Sequence, residues 1–429
     1  MIVTCYKRKT VKYFLTSLFA LCTAVFSSAQ KITIELPPFA GKEYVWFMCD
    51  GEKRDTVARG VLDTKGQAVL TVPPAYENWQ GMSNCLLAEG GGLEIILNGE
   101  KDFTAACAVS EPTINDIYYP GSKENGFLLG QYKRQLNLLN KAGAIASAMR
   151  EYMPEEPFRK VLTKEKKVLE KRFAELQKQT GESPLYAARL RQISDFCNGI
   201  GSRLDLTEKE FNEEQRRYVR EVLDFGQLWN SGLWRPFFAR WIDFETALGD
   251  SILVVDSKAI LARVQSGDMR EALLRKMILL FNQYGKENLL TQVEPGRALS
   301  LLLPGDQAPK LYLSDSSYIV PLNSLVIFYE SDCGSCENEL LQLRGNYPLF
   351  REKNIRVISV SADRDDEIYR KNADTFPWQQ KLCDYKGFEG VNFRNYAVVG
   401  TPTIYVIDDK GTITGRYAQL ADCLDKILF

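Results

Sequence analysis

Among the ten cysteines of this 429-residue chain, one pair has a spacing that points to chemistry. Cys333-Gly334-Ser335-Cys336 stands between a short apolar run, Leu325–Tyr329, and a stretch that reads as a helix to about Tyr347, where Pro348 should stop it. A helix start offers unsatisfied backbone N–H groups and the positive end of the helix dipole. Both stabilise a thiolate, which is the nucleophilic form of cysteine. Two intervening residues let the second sulfur reach the first across one turn. Cys333 could then attack a disulfide and Cys336 resolve the mixed disulfide, closing a Cys333–Cys336 disulfide. Zinc would need two more ligands, and there is no second CxxC and no histidine. Haem attachment needs histidine after the second cysteine, and residue 337 is Glu. A purely structural bridge over so short a loop would constrain little of the unfolded chain.

The absence of histidine also removes His general bases and the Ser-His-Asp and Cys-His triads. The composition is globular, 45% hydrophobic and 25% charged. A net charge of −1 makes no global electrostatic case for nucleic acid or an anionic membrane. No metal site and no small-molecule cofactor site stands out.

Residues 1–29 read as a cleaved export signal. Lys7, Arg8, Lys9 and Lys12 precede the uncharged stretch Tyr13–Phe26, and Ser27-Ser28-Ala29 supplies small residues before a cut. The apolar stretch is short for a membrane span, an uncleaved anchor being the alternative. Export to the periplasm, with membrane association left open, implies a compartment where disulfides persist. Of the remaining cysteines, Cys383 and Cys423 could form a structural bridge, although spacing alone does not establish geometry. The pairing of Cys49, Cys85 and Cys107 is equally open, and Cys197 reads as a buried free thiol.

The elements that must position the pair fall into three stretches. From residue 30 to 120, short strand-like runs (Ile32–Leu36, Tyr44–Cys49, Thr56–Leu62, Gln67–Val72, Asn84–Ala88, Leu93–Leu97 and Phe103–Val109) are separated by turn signals, predicting an all-β sandwich or small barrel. From 121 to 303 the period is helical, over Phe127–Tyr152, Glu156–Gln179, Pro184–Asn198, Thr207–Phe225, Arg235–Ala247, Lys258–Val264 and Met269–Tyr284. Thr207 to Glu210 resembles a capping box. The mixed charges of 165–172 suit a solvated helix face. The cluster Trp229, Trp234, Phe237, Phe238, Trp241 and Phe244 suits core packing or, alternatively, a groove for a client polypeptide. From 304 to 429 strands and helices alternate, with buried strands at Leu325–Tyr329, Ile355–Val360 and Thr403–Ile407, predicting a mixed α/β sheet covered by helices.

This last stretch resembles thioredoxin-like proteins of the TlpA/ResA type. The similarity lies in Pro304-Gly305-Asp306-Gln307-Ala308-Pro309, in Val326-Ile327-Phe328-Tyr329 followed by the cysteine pair, in Gly400-Thr401-Pro402-Thr403, and in Tyr405 to Gly411. The whole layout is similar, more loosely, to multidomain TlpA-like proteins of Bacteroidetes-type bacteria. The resemblance implies a thioredoxin-like fold for 304–429 and a thiol–disulfide oxidoreductase with Cys333 and Cys336 catalytic. It also implies a glutamate near the dithiol at Glu339, and a cis bond before Pro402 that would set the Thr401 backbone beside Cys333 to bind an extended client. Two departures stand out: Asp332 replaces a common Trp before the first cysteine, and Gly334-Ser335 replaces Pro-containing dipeptides, loosening the helix start.

Glu330, Asp332, Glu337 and Glu339 flank the pair, and no Lys or Arg occurs between Lys310 and Arg344. Negative charge disfavours a thiolate. The expectation is therefore a reductase or isomerase acting on protein disulfides, fed by a membrane-linked or periplasmic electron donor. The alternative is an exported binding protein that uses a redox-inactive thioredoxin-like scaffold.

Overall fold

The computed structural model describes residues 30–51, 53–88, 90–264, 267–294, 302–331 and 333–428. The signal read at 1–29 and the residue Asp332 lie outside the described residues.

Burial alternates along β1 (Lys31–Glu35) and β7 (Phe103–Cys107), as a period of two requires of a strand with one face in a core. With β2 (Glu43–Asp50), β3 (Lys53–Val61), β4 (Gln67–Thr71), β5 (Gln80–Leu87), β6 (Gly92–Asn98) and β8 (Ile117–Tyr118) they form two four-stranded sheets, ordered β4-β1-β7-β8 and β3-β2-β5-β6. Ile32, Ile34, Trp46, Met48, Cys85, Ile95 and Phe103 fill the space between them, giving the expected sandwich.

The second sheet's other face is covered too. Phe47, Cys49, Met82 and Ile96 pack on Leu128 of α1 (Lys123–Glu151) and on Tyr186 and Leu190 of α3 (Tyr186–Cys197). Asn125 fastens this contact: its carboxamide oxygen accepts from the Ile96 N–H at 2.7 Å and its NH2 donates to the Ile96 carbonyl at 3.0 Å. The neighbouring Glu124 accepts from the Ala187 N–H at 2.7 Å, satisfying an orphan donor at the start of α3.

In α2 (Pro157–Glu182), Leu162, Leu169, Phe173, Leu176 and Thr180 are buried at three-, four- and seven-residue intervals, the signature of one apolar face. The capping box at Thr207 and Glu210 opens α4 (Glu208–Arg217). The single helix predicted to Phe225 is broken. A π-helical turn covers Tyr218–Val222, and α5 (Phe225–Trp229) restarts after Asp224, whose side chain accepts from the Gly226 and Gln227 N–H groups. An aspartate that can cap a new helix competes with continuing the old one. Then follow α6 (Trp234–Leu248), α7 (Asp250–Arg263), α8 (Gly267–Gln283) and α9 (Leu290–Val293). Helix α7 starts well before the predicted Lys258. Trp234, Phe237, Phe238 and Trp241 are buried in the core these helices share, Trp229 packs against it and Phe244 is buried as well, so the cluster is packing and not a client groove.

In the last stretch, β9 (Leu311–Tyr312) pairs with β10 (Tyr318–Ile319). The strands β11 (Ser324–Tyr329), β12 (Arg356–Ser361), β13 (Gln380–Cys383), β14 (Thr403–Ile407) and β15 (Ile413–Tyr417) form a mixed sheet ordered β13-β12-β11-β14-β15, in which β11, β12 and β13 are parallel. The short β13 was not predicted. Apolar clusters lie on both faces of the sheet, so every residue of the central β11 is buried. The covering helices are α10 (Gly334–Glu352), α11 (Asp366–Ala373), α12 (Val391–Asn395) and α13 (Ala421–Leu428). Helix α10 runs through Pro348 instead of stopping there. Phe350 is fully buried beyond the proline, and that packing offsets the hydrogen bond that the proline removes.

The helical core reaches the sheet domain directly. Ala397 and Val399 pack against it, and a Cβ added at Gly400 would fall 2.6 Å from the Leu279 side chain of α8. Among the described residues no helix is long and apolar enough to cross a membrane.

Candidate active site

Strand β11 delivers the chain from the sheet core to its edge, and α10 carries it away. Cys333 occupies the junction as the N-cap of α10, with extended backbone, and its sulfur accepts from the Cys336 N–H at 3.3 Å. A cap residue normally offers oxygen to such orphan donors; here the acceptor is sulfur, placed where the helix dipole favours negative charge. Cys333 is partly exposed and Cys336 is buried. The pair is held as thiols, the Cys336 thiol donating to the Cys333 sulfur at 2.6 Å. That hydrogen bond first, and burial second, push the Cys336 thiol far above its ordinary range. The buried partner is thus the one that must lose a proton before it can act.

Thr401–Pro402 is the cis peptide, and the Thr401 carbonyl lies 3.9 Å from the Cys333 sulfur. The sequence separation is 68 residues, closed by the antiparallel pairing of β11 with β14. The Thr401 hydroxyl donates to the Glu330 carboxylate at 3.0 Å. The structure thus brings Cys333, Cys336, Thr401 and Pro402 together.

Glu339, one turn after Cys336, is buried, and its carboxylate accepts from the Leu420 N–H at 2.6 Å. Burial raises its pKa, opposed by that backbone hydrogen bond and assisted by Asp422. The side chain is turned toward the segment that leads into α13.

Two further groups, Asp363 and Leu279, escaped the sequence reading, and Glu330 was read there only as a flanking charge. Asp363, after β12, accepts from the Ser331 N–H at 3.0 Å and from the Ser331 and Ser361 hydroxyls at 2.6 Å, which holds the loop leading to Cys333. Glu330 faces Thr401, and Leu279 braces Gly400. The buried strand β12 followed by Ala362-Asp363 was the available signal for Asp363; nothing local marks Leu279 or the pairing of Glu330 with Thr401. Elsewhere, Cys423 donates to the Leu420 carbonyl at 3.1 Å and Cys383 to the Asp363 carbonyl at 3.3 Å, so no bridge joins them. Cys197 is half-buried, and burial pushes its thiol up to about 12.

Away from the dithiol, a cavity of about 740 Å³ lies between the β3-β2-β5-β6 sheet and the helices. Phe47, Cys49, Arg54, Asn84, Glu94 and Arg235 are among its lining residues. The Asn84 NH2 donates to the Cys49 sulfur at 3.4 Å, and burial pushes that thiol up to about 11. Among the described residues no group of three or more acidic or thiol side chains could hold a metal ion.

Residues 304–416 match the family model described as the AhpC/TSA family. Two curated relatives, the thiol–disulfide oxidoreductases ResA of Bacillus thuringiensis and Bacillus cereus, are each 27% identical over 86 residues, covering 20% of this chain and 49% of theirs. The chain therefore spans about half the length of the curated relatives it matches. Among solved structures, the thioredoxin domain of a thiol–disulfide oxidoreductase from Bacteroides vulgatus is similar at 24% identity, covering 30% of this chain and 99% of that one with a TM-score of 0.27. A thiol–disulfide oxidoreductase from Bacteroides fragilis is similar at 25% identity, covering 29% and 100%, with a TM-score of 0.25.

Proposed function

With a thioredoxin-like AhpC/TSA domain over residues 304–416, we propose that the chain is a periplasmic thiol–disulfide oxidoreductase of reductase or isomerase type, acting on disulfides of exported proteins. The observation that carries the reading is the stacking of functions at the start of α10. A partly exposed sulfur caps the helix, a buried thiol donates to it from 2.6 Å, and the carbonyl before Pro402 stands 3.9 Å away. In this reading Cys333 attacks a client disulfide, the Thr401 backbone and Pro402 hold the client strand, and Cys336 closes the Cys333–Cys336 disulfide, so that two electrons pass to the client. The high pKa of the Cys336 thiol and the acidic flank of Glu330, Glu337 and Glu339 favour a reducing couple. A membrane-linked or periplasmic donor returns the pair to the dithiol. The division at 120/121 and 303/304 belongs to the same reading, with the first two parts positioning the third.

The test is reduction of insulin or a disulfide-containing peptide. Wild-type activity that is lost in Cys333→Ser supports the proposal, and capture of a client as a mixed disulfide by Cys336→Ser identifies the substrate. A wild-type protein inactive toward every protein disulfide overturns it. A second reading, an exported binding protein, draws on the cavity lined by Phe47, Arg54 and Arg235: its size suits a small ligand with an apolar body.

A further inference from the structure

The lysines of α2 are sorted onto one side of the helix. Lys160, Lys164, Lys167, Lys171 and Lys178 recur at intervals of four, three, four and seven residues, which places them on a single face. All five are exposed. The mixed signs of this run are partly paired: Lys166 meets Glu170 at 3.5 Å and Lys178 meets Glu182 at 3.9 Å. Among the described residues Lys160, Lys164, Lys167 and Lys171 form no ion pair.

An apolar stripe runs beside them. Phe158, Val161 and Val168 are 49%, 52% and 40% exposed, while Leu162, Leu169, Phe173 and Leu176 are buried. Val161 and Val168 each follow one lysine by a single residue and precede another by three, so the apolar stripe borders the basic one. Helix α1 extends the face. Lys133, Arg134 and Leu138 line one side of an open groove of about 910 Å³ between the helices, and Val168, Lys171 and Arg172 line the other. Glu165 and Glu175 are the acids on this side of α2. Residues 123–182 carry 13 Lys and Arg against 8 Glu, whereas the whole chain carries 54 basic residues against 55 acidic ones. The remainder is therefore net negative, and the excess of positive charge is concentrated on this hairpin.

The pattern selects among occupants. A second copy of the chain would set the same surplus of cations against itself, and like charges repel. A ligand or acidic peptide held in the groove would leave Lys160, Lys164, Phe158 and Val161 uncovered, since these lie outside it. From Lys160 to Lys171 the stripe extends over roughly 17 Å of helix, and a planar anionic surface covers all of it. On such a surface the ammonium groups meet phosphates, the lysine stems lie along the apolar side chains, and Phe158, Val161 and Val168 enter the boundary between headgroups and acyl chains.

We propose that this face of the α1–α2 hairpin docks the protein on an anionic phospholipid bilayer. The turn between the helices carries Glu151, Glu155 and Glu156, so the side of the rod and not its tip makes the contact. The net-negative remainder of the chain is repelled by the same lipid, which fixes the orientation. The docking is independent of the thiol chemistry, and it keeps the dithiol domain at the bilayer, where the membrane-linked donor of the reading above would reside.

The test is cosedimentation of the chain from residue 30 onward, which omits the apolar stretch Tyr13–Phe26 that would bind lipid by itself. The wild type should bind vesicles of phosphatidylglycerol and phosphatidylcholine in equal parts at low salt, bind pure phosphatidylcholine vesicles far more weakly, and be released as salt screens the charges. Replacing Lys160, Lys164, Lys167 and Lys171 together by Gln should weaken binding several hundredfold, at about fivefold per lysine, with unchanged circular dichroism. Lys167→Gln and Lys171→Gln singly should show the fivefold step, which keeps the test open should the fourfold variant misfold. Tryptophan placed by Phe158→Trp should be quenched by brominated lipid in the anionic vesicles. A wild type that ignores anionic vesicles overturns the proposal, and so does binding that the lysine variants leave unchanged. Retention on polyglutamate without vesicle binding, lost in the fourfold variant, overturns it in favour of an acidic polypeptide. A lysine-dependent dimer in sedimentation velocity without vesicle binding overturns it in favour of a second copy. None of these outcomes touches the oxidoreductase reading, which insulin reduction decides.

Discussion

Glu245 on α6 and Asp256 on α7 are both fully buried, and their carboxyl groups face one another inside the helical core. Arg216 forms a two-point contact with Asp256, at 2.7 and 2.9 Å, and Arg220 approaches at 3.6 Å. Asp256 therefore has its countercharge, and Glu245 is left to hold a proton. Burial first, and the Asp256 charge second, push the Glu245 carboxyl up to about 8, against the partial relief of the two arginines. The sign follows from linkage. The unfolded chain releases this proton near pH 4.5 and the folded one near pH 8, so the stability is whole below 4.5 and is lost as the pH rises through 8. At about 1.4 kcal/mol per pH unit the ceiling is about 5 kcal/mol, and solvent relaxation reduces it to roughly 2–5 kcal/mol.

Glu245→Gln removes the titration while keeping the side-chain volume. Its cost or benefit at low pH is a constant offset. The difference between variant and wild type should then grow in the variant's favour by about 2–3.5 kcal/mol between pH 5 and pH 8. In urea this is a relative midpoint gain of about 1–2 M, read by the fluorescence of Trp234 and Trp241 in the same core. Parallel midpoints for the two proteins across that range would refute the reasoning, because they would mean that Glu245 ionises equally readily folded and unfolded.

Iodoacetamide at neutral pH should modify the reduced native protein first at Cys333: Cys336 is sealed, and burial holds Cys49 and Cys383 at about 11 and Cys85 and Cys197 at about 12. Peptide mapping that finds Cys49 or Cys383 modified faster contradicts this. Gly400→Ala drives a methyl group into Leu279 and should slow insulin reduction several-fold by displacing the Thr401 carbonyl; Leu279→Ala in the same chain should restore the rate, and failure to do so would deny the brace. Asn125→Ala strips the buried Ile96 N–H and carbonyl of their partner and should cost about 1–3 kcal/mol in urea unfolding, with an unchanged midpoint as the contrary result.

From the linear chain alone one could read the elements whose determinants are local. Strand-like runs bounded by turn signals marked β1 and β7, three-to-four spacing marked α2, and the capping box placed the start of α4, since each depends on residues within a turn or two. The pair Cys333 and Cys336 at a strand–helix junction was equally legible, because the cap and the spacing lie in one segment. Tertiary packing decided the rest. Pro348 stays inside α10 because Phe350 is buried beyond it, and the aromatic run of α6 faces inward because other helices cover it. The pairing of Glu330 with Thr401 spans 71 residues, and that of Arg216 with Asp256 spans 40. Such contacts are fixed by sheet register and helix packing, which place side chains by the fold's geometry and leave no periodic trace along the chain.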